Sequence, residues 1–422
     1  MKKITSILAS LVIAVFVNNI HSFAAAIPPV VSEDGVVLMD ATTGDIIFSK
    51  NMDAAYPPAS TTKIMTILLT LELSKLDTVV TVGKNPPKIA AGTSNVSLVE
   101  GEQLTVKDLL YGLILQSGND CAETLAEHLG ATTSNFASMM NKRAKELGCT
   151  NTNFVNPSGL YNANHKTSAK DLALIMRELS KHPEFKEIST SLYYVIPPNN
   201  KYPKGHPMSN ENKILTRRDH AVAGYEGSKT GWTSESLYSF IAVASRNGQK
   251  LIVSLVHGKS PTFYSDTQNL FNYGFNNFEL VPLYSKGDKV LDYKVTNDLS
   301  IPLVAADNYS YVREKGSKLV PAYTFLPVDY KNKSINIGDK MLSLDFTLGD
   351  KSLVPLNLNS KIAHTIKAPI LTTLTDSKPS NGKFYVALIL CVLIFILVVY
   401  VALVIKSKHF RRKRFRRYQK YR

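Results

Sequence analysis

The sequence predicts a mixed α/β region over residues 27–278, a small all-β domain over 279–370, and one membrane span near the C-terminus. Three observations carry this expectation. Helical and strand periods alternate through the first region. No helical period occurs in the second, where short apolar-alternating runs such as "LVPAYTFLPVDY" and "KMLSLDFTL" are separated by Gly, Asp, Asn and Lys. Finally, the 22 residues from Phe384 to Ile405 carry no charge, enough to cross about 30 Å of hydrocarbon.

In chain order, residues 1–26 hold Lys2 and Lys3, an apolar run and small residues before Ile27, the pattern of a secretory signal peptide cut after Ala24 or Ala26. "GVVLMDATTGDIIFSKN" is two apolar runs around a Thr-Gly-Asp turn and predicts a hairpin. "STTKIMTILLTLELSK" places Ile64, Ile67, Leu68 and Leu71 on one helical stripe. "TVKDLLYGLILQSGNDCAETLAEHLG" predicts two helices joined through Ser117, Gly118 and Asn119. "TSNFASMMNKRAKELG" and "TSAKDLALIMRELSKH" predict further helices started by Thr or Ser. "LYSFIAVASRNGQKLIVSLVHG" predicts two strands around an Asn-Gly turn. A polar spacer at 371–383 leads to the span at 384–405, and 406–422 is a basic tail. The tail marks the cytoplasmic side of a single-pass anchor, which places residues 27–383 on the extracytoplasmic side.

The net charge of +15 belongs to the ends of the chain. Removing the ten Lys/Arg of the tail and the two N-terminal lysines leaves +3 for everything between. That balance gives no basis for a nucleic-acid partner, and the tail suits anionic lipid head groups instead. Cys121 and Cys149 in the exported part are open to two readings, a disulfide or two partly buried thiols. No Cys/His spacing suggests a metal.

Three short motifs carry chemistry. Ser60 and Lys63 stand three apart at a helix start fixed by Pro57 and Pro58, so they share a face. A serine hydroxyl becomes nucleophilic when a neighbour takes its proton, and an amine does this if burial or nearby positive charge lowers its pKa. The same pair could also be a capping serine beside a solvated lysine. Ser117 and Asn119 lie at a tight turn between helices, which can present a hydroxyl and an amide together. Lys229, Thr230 and Gly231 enter a predicted strand. Glycine there lets another backbone approach, as a substrate added along a sheet edge would.

S-x-x-K, S-x-N and K-T-G, in this order, are the set shared by penicillin-binding proteins and class A β-lactamases. The chain resembles the serine-type D-alanyl-D-alanine carboxypeptidases, the low-molecular-mass penicillin-binding proteins. The resemblance runs from about Ile27 to Ile370 and includes "SGNDCAETLAEHLG", "LGCTNTNFVNPSGL" and "HKTSAKDLALIMRELSKHPEF".

The resemblance implies an antiparallel sheet with helices on both sides, followed by a β-rich domain and a membrane anchor. It implies Ser60 as acylated nucleophile, Lys63 as its general base, Ser117 as proton relay to the leaving amine, and Asn119 as a hold on the substrate amide. Lys229, Thr230 and Gly231 would bind around the substrate carboxylate, and the backbone N–H groups of Ser60 and Trp232 would form the oxyanion hole. The implied reaction is removal of the terminal D-alanine from peptidoglycan stem pentapeptides, with β-lactams as covalent inhibitors and no metal or organic cofactor.

One departure concerns carboxylate binding: members of the family it resembles often carry an arginine just after the strand that follows K-T-G, and here Phe263 or Tyr264 stands at that place, with only Lys259 nearby. A second residue, His165, matches a family histidine near the cleft and reads equally as structural. A β-lactamase is the nearest rival, but the E-x-x-L-N of class A enzymes is absent. A D,D-endopeptidase and an inactive wall-binding protein on the same fold would carry the same three motifs.

Overall fold

The computed structural model describes residues 27–89, 91–331, 333–365, 388–404 and 406. The expected signal peptide, spacer and tail beyond 406 lie outside the described residues. Contacts divide the chain into two compact units. The larger comprises the chain up to Tyr293 with Ile301–Val328 and Lys340–Lys361; the smaller comprises Lys294–Ser300, Asp329–Asp339 and the chain from Ile362.

The larger unit is built on a five-stranded sheet. Its strands are β1 (Gly35–Asp40), β2 (Ile46–Lys50), β3 (Tyr225–Thr233), β4 (Leu237–Arg246) and β5 (Gln249–Gly258), in the order β2-β1-β5-β4-β3. Every neighbouring pair is antiparallel. Both predicted hairpins form. Asn247 (φ +50°) and Gly248 (φ +81°) turn β4 into β5, the left-handed pair that matches strand twist.

Alternation along the strands gives the sheet two apolar faces. Val37, Met39, Ile241, Val243 and Ile252 join one core with four helices: α1 (Lys63–Leu73), α2 (Val106–Leu115), α3 (Asn119–Gly130) and, further along, α5 (Ala169–Leu179). Between α3 and α5 lies α4 (Thr133–Glu146), which adds Phe136 and Met140 to that core. Val36, Leu38, Phe240, Ala242 and Leu255 form the second core under α6 (Phe263–Asn277). Three of the helix starts are fixed by side chains; Ser168 lies in a stretch expected to start a helix, Thr132 stands one residue before the other, and the Thr105 cap was not anticipated. Thr105 and Asp108 form a reciprocal capping box on α2, Thr132 accepts from the Asn135 N–H, and Ser168 accepts from the Asp171 N–H. Each such cap is worth about 1 kcal/mol.

The apolar stripe predicted for the first helix understates its burial. It is enclosed on every side from Lys63 to Thr70, because α2, α3, α4 and α5 all pack against it. A 3-10 turn, Ala59–Thr62, precedes it, so the α-helix starts at Lys63 rather than at Ser60.

From Phe278 the described chain is β-structure as far as residue 365, in a two-stranded and a six-stranded sheet. Ile301, Leu303, Leu344, Phe346 and Leu358 are among its buried residues. In the smaller unit Ile335 and His364 pair as an antiparallel bridge, and residues 388–404 are helical. Those 17 residues rise about 26 Å, and among the described residues no helix is long and apolar enough to cross a membrane. The expected span at 384–405 runs past this stretch at both ends. Cys121 and Cys149 are free thiols, which decides between the two readings left open by the sequence.

Candidate active site

The 3-10 turn that carries Ser60 is held in a strained form. Ala59 sits at φ +49°, a region costly for a residue with a Cβ. Gly159 (φ +85°) packs directly beneath it: a Cβ there would meet the Ala59 carbonyl oxygen at 1.8 Å and Thr62 Oγ1 at 2.8 Å. Ser60 itself is half-buried, the second residue of the turn, where an N–H has no acceptor inside a helix.

Lys63 Nζ lies 2.9 Å from Ser60 Oγ. It also donates to Asn119 Oδ1 at 2.6 Å and to the Ser158 carbonyl at 2.7 Å. The side chain is fully buried. Burial first, and the charge of Lys229 second, hold its pKa well below the usual lysine range. A neutral amine has two hydrogens and one lone pair. Asn119 Oδ1 and the Ser158 carbonyl are acceptors, so they take the two hydrogens and leave the lone pair facing Ser60 Oγ. The geometry is that of a base poised to take the serine proton, not of a capping residue with a solvated neighbour.

The second motif lies at the junction of α2 and α3. Ser117 adopts φ +54°, and its hydroxyl has no hydrogen-bond partner among the described residues. The Asn119 amide, expected to hold substrate, is occupied within the protein. Its oxygen accepts from Lys63, and its Nδ2 donates to Thr93 Oγ1 at 2.8 Å. As it stands, Asn119 orients the base.

The third motif lies mid-strand in β3 rather than at its entrance, and β3 is an edge strand of the sheet. Gly231 faces the nucleophile turn. A Cβ there would meet Pro58 O at 2.9 Å, Ser60 N at 2.9 Å and Thr61 N at 3.0 Å. The backbone that this glycine admits is therefore the protein's own, which corrects the expectation of substrate at that point. Trp232 follows it and is exposed. Lys229 is buried and donates to the Thr230 carbonyl at 2.9 Å. Burial lowers its pKa to about 8, opposed by Glu211. Ser117, Lys229, Thr230 and Glu211 line one small cleft.

The three motifs thus meet pairwise: Lys63 bonds Asn119, Gly231 abuts Ser60, and Ser117 shares a cleft with Lys229 and Thr230. Around them the structure adds two residues that sequence reasoning had not placed and gives His165 its partners. Ser158 and Gly159 come from "NPSG", a turn signal visible in the sequence, although its partner was not. His165 accepts the Val155 N–H on Nδ1 at 3.2 Å, so its Nε2–H donates to Thr62 Oγ1 at 2.8 Å. Burial and Lys63 push its pKa down to about 4. It is a neutral brace for the turn, and it bonds neither Ser60 nor Lys63.

Phe263 and Tyr264, where the resemblance would place an arginine, are held in aromatic packing. Phe263 lies between Tyr238 and Phe240, while Tyr264 accepts the Lys213 N–H and stacks on His220. Lys229 is the cation among the residues that line the cleft.

A family model for D-alanyl-D-alanine carboxypeptidases matches residues 22–260, and one for the penicillin-binding protein 5 C-terminal domain matches 278–365. D-alanyl-D-alanine carboxypeptidase DacF of Bacillus subtilis is 31% identical over 290 residues, 67% of this chain and 73% of that protein. DacC of Escherichia coli is 29% identical over 77% of this chain and 82% of its own length. The crystal structure of penicillin binding protein 5 from Haemophilus influenzae superposes with a TM-score of 0.68 at 28% identity. The match covers 80% of this chain and 98% of that one.

Proposed function

The chain belongs to the D-alanyl-D-alanine carboxypeptidase family, and from that premise we propose that its Ser60 is the nucleophile and Lys63 the base of a two-step acyl transfer. The protein is a serine-type D-alanyl-D-alanine carboxypeptidase that removes the terminal D-alanine of peptidoglycan stem pentapeptides. Lys63 takes the Ser60 proton as Oγ attacks the carbonyl of the penultimate D-alanine. The developing oxyanion is held by the N–H groups of Ser60 and Trp232, and the amine of the terminal residue leaves protonated through Lys63 and Ser117. Water then attacks the acyl-enzyme and Ser60 recovers its proton. A β-lactam opens on the same hydroxyl. The observation that carries this reading is the buried amine of Lys63, 2.9 Å from Ser60 Oγ, with its two hydrogens committed to fixed acceptors.

The test is release of D-alanine from a synthetic pentapeptide together with the mass of the protein after exposure to penicillin. The expected result is free D-alanine and one adduct on Ser60. Absence of both would overturn the assignment, while an adduct hydrolysed as fast as it forms would favour a β-lactamase.

Lys229 and Thr230 would bind the terminal carboxylate. Lys229 is charged below about pH 8 and neutral above it, so its attraction for a carboxylate is present at neutral pH and is lost as pH rises through 8. KM for a D-alanine-terminated peptide is expected to climb between pH 7 and 9, and that of the corresponding peptide amide to stay flat. Equal behaviour of the two would remove Lys229 from carboxylate recognition.

The signal-peptide pattern of 1–26, the uncharged stretch 384–405 and the basic residues of 406–422 support export and single-pass anchoring, with residues 27–278 and 279–370 as two extracytoplasmic domains. Partition of the full chain into membranes, and its release by proteolysis within 371–383, test that topology.

A further inference from the structure

Asn119 can aim the Lys63 lone pair at Ser60 only while its amide keeps one orientation. With Oδ1 toward Nζ, it accepts a hydrogen from the amine. Rotated by half a turn, its NH2 would face the amine, and the lone pair would accept from Asn119 instead of from Ser60. Nothing in the shape of an amide chooses between these; its partners do, and a hydroxyl partner at the far end holds the amide while it accepts and its own proton points away. That partner is Thr93 Oγ1, which accepts from Asn119 Nδ2 at 2.8 Å.

The loop that carries Thr93 is itself held in register by backbone hydrogen bonds to α3. The Asn119 N–H donates to the Ser94 carbonyl at 2.8 Å. The N–H groups of Val96 and Leu98 donate to the Asp120 carboxylate, each with a bond of 3.0 Å. The 93–98 loop is thus clamped to the start of α3, and the hydroxyl of its first residue faces the amide. We propose that Thr93 is a positioning residue of the acylation step, which fixes the Asn119 amide so that Lys63 presents its lone pair to Ser60.

The inference rests on the reading of Ser60 and Lys63 given above, and the experiment separates the two. Second-order acylation by a fluorescent penicillin is followed from pH 5 to 9 in the full chain, in Thr93→Val, in Thr93→Ala and in Thr93→Ser. Valine keeps the shape and removes the acceptor; alanine removes it without a second methyl to accommodate; serine keeps the hydroxyl.

One hydrogen bond of this kind is worth about 1 kcal/mol, or roughly fivefold. Plateau rates are expected to fall about fivefold to tenfold in the valine and alanine variants and to stay within twofold in the serine variant. The acid limb should also move to lower pH in the first two, because a rotated amide donates to the amine and favours its neutral form. A fall in rate with the limb unmoved would mark general damage to the loop and overturn the proposal. So would valine and alanine variants that match the parent, or a serine variant that falls with them. If the parent is not acylated at any pH, the fault lies in the assignment of Ser60 and not in Thr93.

Discussion

Lys63→Arg should lower the rate of Ser60 acylation by about 10²–10⁴-fold, against a zero set by Ser60→Ala, which removes the nucleophile altogether. The guanidinium can still donate to Asn119 Oδ1 and to the Ser158 carbonyl. What it cannot do is lose a proton: an arginine stays charged at any working pH and offers no lone pair to the serine. Lysine succeeds here because full burial and the charge of Lys229 both act against its ammonium form. The measurement is the second-order rate of labelling by a fluorescent penicillin, with melting temperature as the check on folding. A folded Lys63→Arg protein that acylates within tenfold of the parent would mean that some other group takes the proton, and the role assigned to Lys63 would fall.

The parts of this site that the sequence made legible are the local ones. Ser60 and Lys63 are three residues apart on consecutive helical turns, so their approach follows from chain geometry alone. The turn at Ser117 follows from Gly118 between two apolar periods, and the β4–β5 hairpin from Asn247-Gly248. What stayed hidden depends on residues brought together from far along the chain. Lys63 meets Asn119 from 56 positions away and Ser158 from 95, and no periodicity encodes such a pairing. Gly231 is an instance of a right residue with a wrong partner. The need for a bare backbone was readable, but that it receives the 58–61 turn rather than a substrate is set by how β3 lies against α1's leading turn. His165 divides in the same way. Its position near the cleft was expected, while its neutral bracing role follows from two bonds, to Val155 and Thr62, that only the folded chain contains. The sheet order β2-β1-β5-β4-β3 likewise inserts the last strand between the first and the fourth. Local turn signals give hairpins but not the placement of one hairpin beside another.

Gly231→Ala is expected to reduce acylation by about 100-fold while leaving a folded protein. The added Cβ would stand 2.9 Å from Pro58 O, 2.9 Å from Ser60 N and 3.0 Å from Thr61 N. All three are backbone atoms of the nucleophile turn, so no side-chain rotation can relieve the contact. Either β3 moves outward or the turn moves back. Overpacking of this kind costs about 1–3 kcal/mol, tolerable for a domain with two full cores. The consequence for rate is larger because the displaced atoms are the reacting ones. Misplacement by about 1 Å can cost on the order of 10²-fold when attack geometry is what binding supplies, and here the shift separates Ser60 N from Trp232 N, the two proposed oxyanion donors. The turn cannot retreat freely, since Gly159 already abuts the Ala59 carbonyl from the other side. The expected signature is therefore a small drop in melting temperature beside a large drop in acylation rate, with Lys63 still titrating as in the parent. A Gly231→Ala protein that acylates at the parent rate would show that β3 can yield without disturbing Ser60, and that the pair of donors is not placed by this contact.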